Sequence, residues 1–405
     1  MTLLHLVSQQ TMQNLLPLLA MRPSLVIQVR SSDERFRQAA EDLKAAVIAM
    51  RKQPGFHDLN PEFRDWDIGE ATPGVDSSRR AVGEALAPWP QAVVNLTGGT
   101  KPMAIGAFLA AQSEGRPVLY CDTHQRRFTS MNDRQPLPSL PAFDDVATTL
   151  NVETVMAAHG IPISHWKFQT ASAALTEFGR IAFELHIHHR SAFRDKLPAS
   201  GKTYGESLRA HFRSENGSVP SKRSALQSLL ESPLPTPPSE PVLAFLKAAE
   251  SAGLLQRNHQ GEFLPGCQPT RGDVQRVANL LGGSWLELYT LDLLQRAHPR
   301  FLDPHWSVEP SGSAEASFGE TDLVCVDTAH AALRIISCKT SPKQALEHLT
   351  ALSQRRRDLG GSHAKATLAV LEAGNNQPEQ FEKWGRLLNV EVLVGTEIAR
   401  RLSQP

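Results

Sequence analysis

Three groups of residues in this 405-residue chain are of types that could do chemistry. In the first, the branched run Ala92-Val93-Val94 leads into Asn95-Leu96-Thr97-Gly98-Gly99-Thr100-Lys101-Pro102-Met103, a polar Gly-Gly turn after which Pro102 suits the first turn of a helix. Glycines let a backbone approach a ligand closely, and a helix start offers unpaired N–H groups. The Thr97 and Thr100 hydroxyls and the Lys101 ammonium stand beside them. That combination suits phosphate. Its spacing excludes the GxxxxGK[ST] and GxGxxG loops, and a plain strand-to-helix connection accounts for the same residues without a ligand. The second group, Ser8-Gln9-Gln10-Thr11, sets hydroxyls and amides at the end of another apolar run, Leu3 to Val7. The third is dispersed: Glu287 opens a helix, Asp322 starts a strand, and Lys339 follows the end of the next strand. Paired carboxylates can hold a hard divalent cation, Mg2+ or Mn2+. Such an ion polarises a phosphodiester and acidifies its own water, while a lysine stabilises developing phosphate charge. Taken alone, Asp322 and Lys339 read equally well as ordinary strand-end surface residues.

The elements that must position these groups follow a βαβ rhythm. Leu3 to Val7, Ser24 to Val29, Phe63 to Ile68, Ala92 to Leu96 and Pro117 to Asp122 read as strands, and Asp33 can cap a long helix running towards Met50. The first 125 residues thus predict a parallel, Rossmann-like α/β sheet. Its ligand crevice lies outside the carboxyl ends of the strands, where both polar loops fall. Residues 1–150 are expected to form this domain and residues 151–268 a mainly helical region. Within that region Ser232-Pro-Leu-Pro-Thr-Pro-Pro-Ser239 reads as an extended linker, and the helix 241–251 followed by a strand–turn–strand at 254–263 suggests a winged helix. A winged helix without a dense basic recognition helix serves as readily for dimerisation or spacing as for reading DNA. Residues 269–405 return to α/β order: helix 285–297, strands near 306–308, 321–326 and 333–337, then helix 343–359. Glu184, His186, His188 and His189 lie close together, but no third ligand recurs at helical spacing, so they read as a solvated polar face. Arg355-Arg-Arg357 fits either a helix C-terminal dipole or a nucleic-acid phosphate.

Composition narrows the class. Lys plus Arg and Asp plus Glu both total 42, so any nucleic-acid contact must come from local patches rather than global charge. Cys121, Cys267, Cys325 and Cys338 stand far apart, which argues against a zinc site and a disulfide framework and for a reducing cytoplasm. No apolar run reaches membrane-spanning length, and no signal-peptide pattern opens the chain, so a cytoplasmic protein without membrane partners is expected.

Taken together, the motifs resemble a known family. Leu6-Val-Ser-Gln-Gln-Thr-Met-Gln-Asn14 and Asn95-Leu-Thr-Gly-Gly-Thr-Lys-Pro-Met103 resemble the ligand loops of CRISPR-associated Rossmann-fold (CARF) sensors. Gly283-Ser-Trp-Leu-Glu287, Glu320-Thr-Asp322 and Cys338-Lys-Thr340 resemble the restriction-endonuclease-like, PD-(D/E)xK nuclease domain fused to them. The resemblance implies a homodimer that binds a cyclic oligoadenylate, the tetra-adenylate in the first instance, and is thereby switched on as a metal-dependent nuclease of type III CRISPR antiviral defence, acting on RNA, DNA or both. Ser8, Gln10, Thr11, Asn95, Thr97, Gly98, Gly99, Thr100, Lys101 and Met103 would bind the activator. Glu287, Asp322 and Lys339 would be catalytic, and Asp322, Glu320 and Glu287 would hold the metal. The sequence departs from the motif Glu-x-Lys at Ser337-Cys338-Lys339, which removes one expected metal carboxylate. Glu320, which shares a strand face with Asp322, or Glu347 would have to replace it; otherwise cleavage is weak or absent. The alternatives are a non-catalytic sensor or DNA-binding regulator, and a ring nuclease that degrades its own activator.

Overall fold

The computed structural model describes all residues except 133, 162–165, 197–200, 214–216, 311–318, 341–344, 362, 373–377 and 405. Its first half is an α/β unit of β1 (Thr2–Leu6), α1 (Met12–Met21), β2 (Leu25–Arg30), α2 (Glu34–Met50), β3 (Glu62–Asp67), α3 (Val75–Leu86), β4 (Val93–Asn95), α4 (Lys101–Ser113), β5 (Val118–Asp122) and β6 (Arg127–Ser130). The strands lie in the order β3-β2-β1-β4-β5-β6, parallel except for β6. Asp33 caps α2 as expected, its Oδ1 accepting from the Arg35 backbone N–H at 2.9 Å. The order reverses direction beside β1 and β4, which sets the two polar loops next to each other at the carboxyl ends.

Two short helices, α5 (Phe143–Ala147) and α6 (Val152–Ala157), lead to β7 (Trp166–Gln169). A helical region follows: α7 (Ala173–His188), α8 (Arg190–Arg194), α9 (Tyr204–His211), α10 (Arg223–Glu231), α11 (Glu240–Ser251), the hairpin β8 (Leu255–Arg257) and β9 (Phe263–Pro265), and α12 (Arg271–Asn279). A π turn at Leu280–Ser284 opens the last unit: α13 (Trp285–Arg296), β10 (Phe301–Pro310), β11 (Thr321–Asp327), β12 (Ala332–Lys339), α14 (Ala345–Gly360), β13 (Lys365–Val370), α15 (Pro378–Leu388), β14 (Glu391–Val394) and α16 (Glu397–Leu402). The start of α14 expected at Lys343 lies outside the described residues. The second sheet runs β14-β13-β12-β11-β10-β7, so a strand from residues read as helical supplies its edge.

This sheet is apolar on both faces, as the unbroken runs of β11 and β12 require. Leu323, Cys325 and Ile336 face α7 and α13, where Gly179 lets the two helices approach until a Cβ there would stand 2.7 Å from the Tyr289 nitrogen. Val324, Val326, Leu333 and Ile335 face the other way, in one cluster with Val152, Val155 and Met156 of α6 and Leu15 and Leu16 of α1. His186 does not join a solvated face as expected. It stacks against Phe193 and Trp285, with ring centroids 3.8 and 4.5 Å away, and burial lowers its pKa to about 4; His188 and His189 are exposed. No helix among the described residues is long and apolar enough to cross a membrane.

One buried ion cluster pins β11, β12, β13 and β14 together. Arg334 donates from Nε and Nη2 to Asp327 Oδ2 at 2.9 and 2.6 Å, and from Nη1 to Thr367 Oγ1 and Glu391 Oε2, both at 2.7 Å. Burial alone would raise the Asp327 carboxyl, but His330 and Arg334 hold it down at about 2. Its stabilisation is therefore complete above the ordinary aspartate value and lost as pH falls towards 2. Arg334→Leu removes the buried guanidinium and leaves Asp327 only His330 and the Ala329 backbone N–H as partners, and is expected to cost about 3–5 kcal/mol at neutral pH. Urea denaturation across pH 3 to 7 checks this: a cost that stays constant down to the acid end contradicts it.

Candidate functional site

The crevice of the first sheet is built by close approach of two loops. Gly98 lies so near the end of β1 that a Cβ would stand 2.1 Å from the Leu6 carbonyl oxygen, and Gly99 has φ +74°. Gly98 is thus required by packing against β1. Asn95 is fully buried and works as scaffold: Nδ2 donates to the Gln13 carbonyl at 3.1 Å and to Asn14 Oδ1 at 3.2 Å, while Oδ1 accepts from the Thr97 hydroxyl at 2.6 Å. The Thr97 hydroxyl also accepts from the Cys121 backbone N–H at 2.7 Å. Asn14, which the sequence did not single out, ties the other loop down by donating to the Leu6 carbonyl at 3.0 Å. Thr100 caps α4 towards Met103 N, and the Met103 side chain is buried in the core, so only its backbone serves the loop. Thr11 is buried at the start of α1. Ser8, Gln10, Gly99, Thr100 and Lys101 remain at the surface of the crevice, Thr100 and Lys101 exposed.

At the second site, register does the positioning. β11 and β12 pair antiparallel with Leu323 opposite Ile336, which sets Asp322 across from Ser337. Asp322 Oδ2 accepts three bonds: from the Ser337 hydroxyl at 3.0 Å, the Cys338 backbone N–H at 2.6 Å and Lys339 Nζ at 3.2 Å. Burial would lower the Lys339 pKa, but the Asp322 carboxylate outweighs it and raises the pKa above its ordinary value, which keeps the ammonium charged. Glu287 reaches the same centre from the first turn of α13, fixed by Trp306, whose indole N–H donates to Glu287 Oε2 at 2.8 Å. The π turn before α13 carries Gly283 at φ +151°, against the Thr340 side chain. Glu320 Oε1 accepts from the Ser307 hydroxyl at 2.8 Å, which in turn accepts from Gln169 of β7 at 3.0 Å, and its charge reaches both Glu287 and Arg355. Glu347 is exposed on α14, whereas its neighbour His348 lies in the field of Lys339 and Asp322. The arginine run divides: Arg356 is buried and donates to the Ala364 carbonyl at 3.3 Å, and Arg355 faces Asp322 and Glu320.

Among the described residues no group of three or more His, Cys, Asp or Glu is arranged around a common metal position. The donor chemistry of Glu287 and Asp322 nevertheless fits a hard cation that takes one or two carboxylates and completes its shell with water and phosphate. Burial and then the Asp322 charge push the Glu287 carboxyl up to about 8, the excess of negative charge that a divalent ion offsets. Without metal, the folded chain holds this proton between the ordinary glutamate value and about 8, where the unfolded chain has lost it. Stability therefore falls as pH rises through that window. Glu287→Gln, which keeps an acceptor for Trp306, is expected to flatten the fall. Denaturation in EDTA at a series of pH values reads this out, and identical pH profiles for the two proteins contradict it.

The two sites touch one helix. Gln10 Oε1 accepts from Gln13 Nε2 at 2.8 Å and hydrogen-bonds with His363 Nε2 at 2.7 Å, just beyond the end of α14. Close by, a Cβ on Gly361 would stand 3.3 Å from the buried His159 ring, which follows α6. The sequence carried no signal for this contact, because its partners are 353 positions apart.

No family model matches the sequence, and no curated protein matches it. Solved structures do. Protein VC1899 from Vibrio cholerae superposes with a TM-score of 0.70 at 13% identity, over 99% of this chain and 96% of that one. Can2 from Sulfobacillus thermosulfidooxidans, solved in complex with cyclic tetra-adenylate (cA4), superposes with a TM-score of 0.66 at 16% identity, over 99% and 97% of the two chains. At such identities the likeness is one of fold, and over its full length this chain has the α/β fold of VC1899 and Can2.

Proposed function

We propose that this chain is a CARF-type sensor joined to a restriction-endonuclease-like nuclease, a cyclic-oligoadenylate-activated, metal-dependent nuclease of type III CRISPR defence. The observation that carries the reading is the full-length fold shared with a protein solved with cA4, together with Glu287, Asp322 and Lys339 meeting at one end of the second sheet. Ser8, Gln10, Gly99, Thr100 and Lys101 contact the activator, with Asn95, Thr97 and Gly98 shaping the loop that presents them. A cyclic tetranucleotide can match a two-fold axis, so the same loops on both copies of a homodimer contact its two halves. Residues 1–150, 151–268 and 269–405 serve as sensor, helical connection and nuclease in a cytoplasmic protein.

At the nuclease centre Asp322 and Glu287 hold Mg2+ or Mn2+, which supplies Lewis acidity and an acidified water. Lys339, kept charged beside Asp322, faces the scissile phosphate of RNA or DNA and stabilises its developing charge. Trp306 orients Glu287. Ser337 stands in the place of the third carboxylate and gives Asp322 a hydrogen bond instead. That bond also favours a second reading, a sensor whose nuclease is silent, because one Asp322 oxygen is already satisfied by three protein donors.

Lys101→Ala is expected to weaken cA4 binding about 10- to 100-fold by removing a charge-assisted phosphate contact. Titration calorimetry checks it, and unchanged affinity in a folded variant places the ligand elsewhere. Cleavage of RNA or DNA with cA4 is expected to require Mn2+ or Mg2+ and to vanish in Asp322→Ala, and Ser337→Glu is expected to lower the Mn2+ midpoint. Activity that survives EDTA contradicts the metal assignment, and no cleavage by the wild type selects the silent sensor.

A further inference from the structure

Two arginines of the helical region pack beside residues that frame the second site. Arg209 of α9 lays its stem on the π turn: its Cγ would be 3.6 Å from a Cβ on Gly282, in the turn that delivers Glu287 to the site. Arg276, near the end of α12, holds its guanidinium 5.8 Å from the ring centroid of Trp306, the residue whose indole N–H fixes Glu287. Both side chains are exposed, and among the described residues neither forms a hydrogen bond or an ion pair. A structural arginine this close to buried carboxylates would be paired with one of them, as Arg334 is with Asp327. Arg276 instead rests on Trp306, and Arg209 runs back along α9, its Nη2 3.9 Å from where a Cβ on Gly205 would stand. Each comes from an element outside the second sheet; Arg209 packs on the turn that precedes α13, and Arg276 on the tryptophan that bonds Glu287.

A planar guanidinium on an aromatic face or a glycine turn is preorganised for bidentate contact with a phosphate. On the nuclease reading above, we propose that Arg209 and Arg276 are positioning residues that grip the phosphates flanking the scissile bond of a nucleic-acid strand. The helical region then forms the second wall of the substrate cleft. Both contacts are to the backbone, so they hold a strand without regard to sequence and weaken with salt.

The test uses the full chain with cA4 and Mn2+, labelled RNA and DNA oligonucleotides, anisotropy over a series of KCl concentrations, and steady-state cleavage. In Arg209→Ala and Arg276→Ala the slope of log affinity against log salt is expected to shrink by about 0.7–0.9 per arginine. KM is expected to rise several-fold with kcat little changed, and Arg276→Lys to restore most of the slope. A double alanine variant with the wild-type melting temperature and cA4 affinity, yet with wild-type slope and KM, overturns the assignment. So does a loss confined to kcat, which would mean that the arginines act through the packing around Glu287. A wild-type protein that binds no strand at any salt, with or without cA4, overturns the nuclease reading itself.

Discussion

The second sheet needs cover on both faces, and that need ties the two halves of the chain together. One face is closed by α7 and α13; the other is closed by α6 and α14, and the cluster there continues into α1 and α2 of the first unit. Val152, Val155 and Met156 bridge the first and the second sheet without an apolar gap. Even the start of α6 is held from the second unit, where Asp303 accepts from the Val152 backbone N–H at 2.9 Å. Packed interiors shift between discrete arrangements rather than bending continuously, so a displacement at one sheet is felt at the other.

The carboxylate of Asp322 is the corresponding node at the chemical site. Backbone, serine and lysine all converge on one of its oxygens, and this fixes its direction even though the strand-mate that usually carries a negative charge is neutral. A neutral neighbour lowers repulsion at the site and lowers its hold on a cation by the same physics. Glu287 carries the remaining tension, with its proton retained by burial and by Asp322.

The elements were legible because their periodicity is strong. The branched runs before Ser8 and Asn95, the cap at Asp33 and the unbroken apolar strands around Asp322 and Ile335 each point to one local structure. Residue types at strand ends located both candidate sites. What the sequence could not show is which polar side chains serve the fold. Asn95 and Thr97 look like ligands and are struts, and Gly98 looks like a phosphate glycine and is a packing glycine, because only the three-dimensional approach of two loops distinguishes these roles. His186 looked solvated until Trp285 and Phe193, distant in sequence or beyond a helix end, closed around it. Glu320 lies just before β11, where the Ser307 hydroxyl bonds its carboxylate within the field of Glu287.

The bond between Gln10 and His363 joins the crevice of the first sheet to the far end of the helix that carries His348 and Arg355 along the Asp322 site. A helix that links two binding sites in this way has no preferred direction. If an activator held at Gln10 tightens the grip on a nucleic-acid strand, that strand must tighten the grip on the activator by the same factor. Molecules already engaged with a target would then release their messenger last, and the alarm would fade first where there is nothing left to cut.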